Sequence, residues 1–250
     1  MTDAGSSAAA IQRARVLLEL GRCEEAATAL RDVLARESAH PEALVLLSRA
    51  LRESRPLESY NAAVAAIHAE PNAAWVLVNA AWAADAVGRK QEAIDRARAA
   101  VAIDPHSAAG FQALAQLLAR GNTSMAETRG AANKAIELAP HDPTSWIAAG
   151  NVALAEKNLH YARGYYEHAL ALKPDDRVAQ LNLAAVRQAE GSLGHSIDLL
   201  QSIIRLNPRD EEARSRIDDL AGRLLREMLW LSLGVGFVLA IIVSLAVGTR

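Results

Sequence analysis

The chain has 250 residues and a net charge of −2, with 27 Lys and Arg spread along it against 29 Asp and Glu; it lacks the basic stripe that a phosphate backbone demands, so nucleic acid is excluded as an expected partner. Apolar residues make up 51% and aromatic residues only 4%, so the buried faces must be filled largely by small side chains on closely packed helices. The one cysteine, Cys23, rules out an intrachain disulfide and a multi-thiolate metal site, and reads as a small apolar helix residue in a reducing compartment.

Residues 1–6 carry an acid where a secretion signal would carry positive charge, and no long apolar stretch follows; the segment is expected to be a disordered N-terminus and the body to stay unexported. From residue 7 a repeat takes over. Pro71, Pro105, Pro140, Pro174 and Pro208 are separated by 34, 35, 34 and 34 residues, and the residues before each proline repeat as well. The copies run 7–40, 41–73, 74–107, 108–142, 143–176 and 177–210, each expected to be a pair of helices.

The first copy carries Gly21 and Ala26, with Ser38 where proline would stand. The second replaces the turn glycine with Ser54-Arg55-Pro56. Gly88, Ala93, Ala100 and Pro105 mark the third; the fourth departs, with Gly121-Asn122-Thr123-Ser124, one extra residue, and Thr128 where a small Ala is expected. The fifth holds Trp146, Gly150, Ala162, Tyr166, Ala169 and Pro174, and the sixth Leu183, Ala184, Gly191, Leu200 and Pro208. Each residue type has a mechanical reason to be there. Gly150, Ala162 and Ala169 let antiparallel helices approach closely, Trp146 and Tyr166 fill wider gaps, and Gly88 and Gly191 serve the turn inside a repeat. The proline ends the second helix because it has no N–H to continue the ladder.

The fifth copy resembles the tetratricopeptide consensus of Trp, Gly, Ala, aromatic, Ala and Pro at each of those positions, and the resemblance extends over about residues 7–210. It implies an all-α fold, a right-handed superhelical solenoid of about six helix-turn-helix repeats whose concave wall is made by the first helix of each pair. Neighbouring pairs complete one another's core, so the ends need caps. Residues 211–227, with Ala213, Ile217, Leu220 and Leu224 at helical spacing, read as the C-terminal capping helix.

From Met228 to Gly248 there is no charge, and as a helix these residues rise roughly 31 Å, the thickness of a bilayer core, so one transmembrane helix is expected there. Only Thr249 and Arg250 follow, which makes the segment a tail anchor. Arg209, Arg214, Arg216, Arg223 and Arg226 precede it, placing the repeats on the cytoplasmic side of a bacterial inner membrane. A mitochondrial outer membrane facing the cytosol is the alternative. Trp230 suits the interface, and Ser232, Gly236, Ala240, Ser244 and Gly248 form a ridge of small residues, a packing face for an integral membrane partner or a second copy. Gly222 alone interrupts the run from cap to anchor, and a continuous helix is the favoured reading.

No catalytic constellation is visible. His40, His106 and His141 fall in turns between repeats and are expected to be solvated, while His160 and His168 lack a completing ligand set, so neither a metal, a cofactor nor an enzyme activity is expected. The resemblance points instead to peptide binding in the concave groove. Asn151, Asn182 and Arg216 match three of the five positions from which chaperone-binding tetratricopeptide proteins clamp a C-terminal carboxylate. The two lysines of that clamp fall on Ile147 and Glu212, and Glu212 would repel an acidic tail. The rest of the wall, as the resemblance places it, includes Arg15, Trp75, Asn79, Trp82, Gln112 and Gln116, with Trp82 either an anchor for a partner or buried between helices. The expected function is a membrane-anchored scaffold or adaptor for protein or peptide partners. An accessory subunit of a membrane enzyme, transporter or secretion complex, docked through its transmembrane helix, is the alternative.

Overall fold

The computed structural model describes residues 3–121, 124–223 and 225–226, which form helices joined by short turns, with no strand among them. The helices come in antiparallel pairs: α1 (Asp3–Glu19) with α2 (Cys23–Arg36), α3 (Pro41–Leu51) with α4 (Pro56–Ala69), and α5 (Ala74–Ala86) with α6 (Lys90–Ile103). α7 (Ala108–Gly121) pairs with α8 (Met125–Leu138), α9 (Pro143–Ala155) with α10 (Leu159–Leu172), and α11 (Arg177–Ala189) with α12 (Leu193–Leu206). A further helix, α13, covers residues 211–223.

The first pair reaches further back than its repeat. Residues 3–6, expected to be disordered, are the opening of α1. The Ala8-Ala9-Ala10 run favours helix, and buried Ser7 is tied down by donating its hydroxyl to Glu37 Oε1 at 2.6 Å.

Turns between repeats use side-chain caps. Asp142 accepts from the Thr144 N–H, Asp176 from those of Val178 and Ala179, and Pro41 and Pro143 open α3 and α9, where a missing N–H costs nothing. His40, expected to be solvated, is half-buried and caps α3 by accepting from the Ala43 N–H at 3.4 Å, whereas His106 and His141 are exposed. Within repeats, Gly88 and Gly191 take positive φ of 77° and 80°, and Lys157 holds the equivalent place in the fifth repeat at 59°. The second repeat turns without glycine, using Arg55 at φ −141° and Pro56 at the start of α4.

One position in each second helix is sealed against its own first helix: Ala26, Ser59, Ala93, Thr128, Ala162 and Ser196, all at most 1% exposed. Where this residue is polar, its hydroxyl returns to the backbone. Ser59 donates to Ser48 O at 2.7 Å, Thr128 to Ser124 O at 2.8 Å and Ser196 to Ala184 O at 2.9 Å, so the hydroxyl costs little on burial.

Two compact units divide the chain, residues 1–172 and 173–250. In the first, each second helix packs on the first helix of the next repeat, and the first helices also touch in order, α1 with α3, α3 with α5, α5 with α7 and α7 with α9. The first helices therefore form one continuous layer. In the second unit, α11 and α12 enclose Leu181, Ala184, Leu200 and Ile203 with Ala213 and Leu220 of α13. Gly222 lies inside α13. Among the described residues no helix is long and apolar enough to cross a membrane. The anchor expected at 228–248, its face of Ser232, Gly236, Ala240, Ser244 and Gly248, and the continuity of cap and anchor lie outside the described residues.

Candidate peptide-binding groove

The layer of first helices in the first unit is hollowed where α3, α5 and the start of α7 meet. Val45, Arg49 and Arg52 of the α3 side face Trp75, Val78, Asn79 and Trp82 of α5 across a hollow of about 420 Å³. A second hollow of about 320 Å³ continues it toward α1. Val45, Arg49 and Trp75 line both, so the two form one trough, with Arg15, Glu19 and Glu42 at the α1 end. Its walls come from successive first helices because these pack side by side, and a residue at the same turn of each faces the same way.

Polar groups sit at the join of α3 and α5. Arg52 Nη2 donates to Asn79 Oδ1 at 2.8 Å. That bond leaves Arg52 Nε and Asn79 Nδ2 buried without an acceptor, although Asn79 is only 5% exposed. Burial first, and the neighbouring Arg49 charge second, lower the Arg52 pKa to about 10, against an opposing pull from Glu53. Arg15 is paired with Glu42 at the other end. The apolar side is supplied by Trp75, 46% exposed, and by Trp82, which is half-buried. Trp82 does both things open to it in the sequence: it packs against the core shared by α4–α9 and also lines the trough. The Arg120 guanidinium lies 5.7 Å from its ring centre and is held there by Asp85 at 2.6 Å.

The remaining sequence-predicted positions divide between the units. In the first, Asn151 Nδ2 donates to Gln116 Oε1 at 3.3 Å and its Oδ1 accepts from the Tyr166 hydroxyl at 2.7 Å, so this amide spends bonding capacity on its own fold. Ile147 is buried and offers a ligand nothing. Gln112, assigned to the concave wall, is instead a buried strut: its Nε2 donates to Asp142 Oδ2 at 2.7 Å and to Ser145 Oγ at 2.9 Å, joining the fourth repeat to the fifth. In the second unit Asn182 is half-buried, and Arg216 donates to Leu181 O at 3.1 Å and to Glu212 at 2.8 Å. Glu212 also takes Arg177 at 2.7 Å, so the acid that would repel a peptide carboxylate is doubly neutralised.

Sequence reasoning missed Arg52 and the pairing that strands half of Asn79. Arg52 caps the C-terminus of α3 in the repeat whose turn departs from the pattern, and no periodic position draws attention to it. Elsewhere, Trp146 does not fill an internal gap as expected. It is half-exposed, donates to Pro140 O at 2.8 Å, and carries His168 against it with ring centres 3.8 Å apart. Only Tyr166 of that pair is fully buried. Among the described residues no group of His, Cys, Asp and Glu is placed to hold a metal.

The fold is shared with solved structures. The chain superimposes on PilF of Pseudomonas aeruginosa with a TM-score of 0.58 at 19% identity, covering 86% of this chain and 98% of that one. PilW, a type IV pilus biogenesis factor, gives a TM-score of 0.63 at 14% identity over 85% and 98% of the two chains. Human IFIT1 bound to m7Gppp-AAAA gives 0.67 at 18% identity over 79% of this chain and half of its own length. The fold is a tetratricopeptide-type helical repeat. No family model and no curated protein sequence matches the chain.

Proposed function

We propose that this chain is a protein-interaction scaffold whose first-helix trough receives a segment of another protein, and that residues 228–248 hold it to a membrane. The observation that carries the reading is the trough itself. It is apolar along Val45, Trp75 and Trp82 and ends on buried donors left without acceptors, a state that costs about 1–3 kcal/mol per group until something accepts from them. An apolar cleft with a few convergent polar groups is the usual form of a recognition site, and a half-exposed Trp is the usual anchor. The uncharged 228–248 run and the five arginines before it support a single-pass membrane protein with its repeats in the cytoplasm, in a bacterial inner membrane.

Affinity purification of the full chain in mild detergent, beside a version ending at Arg226 and a Trp75→Ala version, tests this. Partners bound through the trough should persist on truncation and be lost with Trp75. If Trp75→Ala leaves every partner in place, the trough is not the binding surface.

The small-residue ridge Ser232, Gly236, Ala240, Ser244 and Gly248 favours a second reading, an accessory subunit docked on an integral membrane partner through its transmembrane helix. The fold neighbours PilF and PilW, the latter a pilus biogenesis factor, are consistent with a place in an assembly machine. Gly236→Ile should then release the membrane partner while soluble partners stay bound. Co-purification of that partner at the native level would remove this reading.

A further inference from the structure

Building on the groove reading above, we infer that the trough between α3 and α5 selects an internal, extended peptide segment in which an Asp or Glu side chain lies next to a large apolar one. The acid would be held by Arg49, Arg52 and Asn79 and its apolar neighbour by Trp75 and Trp82.

Charge sets the sign of the ligand. Arg49 and Arg52 stand three residues apart at the end of α3, each facing the same hollow. Arg49 is exposed and forms no ion pair among the described residues, and the oxygen that meets Arg52 belongs to the neutral amide of Asn79. The Glu53 charge opposes, but ranks behind, the effects of burial and of Arg49 on Arg52. At the far end of the trough Glu42 is engaged by Arg15, and Glu19 lines the α1 hollow but not the one that Arg52 lines. Two adjacent cations with no carboxylate between them gain most from an anionic occupant.

Hydrogen bonding sets its geometry. Among the described residues Arg52 Nε and Asn79 Nδ2 both lack acceptors, and both residues line the hollow. A carboxylate has two oxygens and accepts from several donors at once, which suits an Arg beside an amide. An amide carbonyl or a hydroxyl from a ligand could accept these bonds but would leave the two charges unanswered.

The shape of the trough separates an internal segment from a chain end. The hollow does not close beyond Arg49; it runs on toward α1 past Val45 and Trp75, so a bound chain passes through rather than stopping. Trp75, 46% exposed, and half-buried Trp82 offer faces for one large side chain beside the acid.

The test uses the full chain in mild detergent and an array of acetylated, amidated nonapeptides randomised at their central positions. Enriched sequences should carry Asp or Glu beside Phe, Trp or Leu. The best of them, titrated against the chain's tryptophan fluorescence, should bind about tenfold more weakly when its acid becomes the amide. Arg49→Met, at an exposed site that leaves the fold intact, should weaken it by a similar factor. Asn79→Asp is the sharper variant: a carboxylate there pairs with Arg52 from within the protein, so folding is preserved while the ligand's acid is repelled. Enrichment indifferent to acids, affinity unchanged in both variants, binding only by peptides with a free C-terminus, or no enrichment at all would each overturn the inference. If Trp75→Ala loses its partners in the purification, any of those results overturns the acid selectivity alone; if partners stay bound to Trp75→Ala as well, the trough itself falls.

Discussion

Tyr166 occupies the space in which a side chain on Gly150 would begin. A Cβ built on Gly150 would stand 2.7 Å from Tyr166 Cδ1 and 2.8 Å from its Cζ, and closer still to Cε1, so the ring rests directly on the backbone of α9. At the same two places, other repeats carry Ala14 with Leu30 and Ala184 with Leu200, all buried; the fifth repeat exchanges volume from one helix to the other. Gly150→Ala should therefore destabilise the first unit by about 1–3 kcal/mol through overpacking. Adding Tyr166→Leu, the sixth repeat's combination, should recover much of the loss, a coupling of about 0.5–3 kcal/mol in a double-mutant cycle. Tyr166→Phe separates packing from hydrogen bonding: it keeps the ring and loses only the 2.7 Å bond to Asn151, at about 1 kcal/mol. Urea unfolding of the native chain, the Gly150→Ala, Tyr166→Leu and Tyr166→Phe variants and the double variant, five proteins in all, measures these, and additive single effects would contradict the exchange.

Lys157 stands where three other repeats have glycine. Its φ of 59° is left-handed, as are those of Gly21, Gly88 and Gly191, and a side chain there strains the backbone by about 1–2 kcal/mol. Lys157→Gly should raise the thermal midpoint, by an amount worth about 1 kcal/mol, and Gly88→Ala should lower it by about as much. No heavy atom lies within 4 Å of a Cβ at Gly88, so any loss there is conformational rather than steric. A drop in midpoint for Lys157→Gly would mean that the lysine side chain stabilises the turn more than its backbone strains it.

The repeat was legible because prolines and small residues recur for a reason that acts locally: Pro174 and Ala162 are needed wherever a helix must stop or two helices must touch. Tyr166 could be placed in the core by its column. Trp146 could not be placed correctly, because the residues at its position in other repeats, such as Leu44 and Leu77, are buried, and His168 and Pro140, on other elements, draw it to the surface. Gln112 and Asn79 show the same limit. Both sit on the face that the resemblance assigns to the wall, but Gln112 is drawn inward by Asp142 and Ser145 while Asn79 is taken by Arg52. Those partners lie 27 to 33 residues away, and nothing in a residue's own repeat announces them.

Gln112 gives a prediction about how the repeats are joined. It bonds to the Asp142 that caps α9 and to Ser145, whose hydroxyl in turn donates to Ala135 O at 3.0 Å. Gln112→Leu keeps the volume near its native value but takes a donor from the buried Ser145 hydroxyl and from the half-buried Asp142 carboxylate, at a cost of about 1–3 kcal/mol. The loss should be local. Hydrogen exchange should accelerate in α8 and α9, with α3 and α4 unchanged, because a repeat array transmits stability from neighbour to neighbour. Uniform acceleration across the first unit would show that it unfolds as one block.

The second unit should weaken in acid through Asp210. Its carboxylate accepts from Arg177 Nε at 2.5 Å and from the Ala213 N–H that opens α13. The Arg177 hydrogen bond holds the Asp210 pKa below its ordinary value despite burial, with the Ala213 N–H and the Arg177 charge adding to the effect. A depressed native pKa means that the folded unit binds fewer protons than the unfolded chain. The stabilisation is therefore fully present above the unfolded value of about pH 4 and is lost as pH falls through the native value. Arg177 is half-exposed, so solvent screening limits the pair to about 1 kcal/mol. Hydrogen exchange in α11–α13, followed between neutral pH and about pH 3, should report this loss, and Asp210→Asn should be less stable at neutral pH yet lose less on acidification. An unchanged acid dependence in Asp210→Asn would assign the titration to other carboxylates.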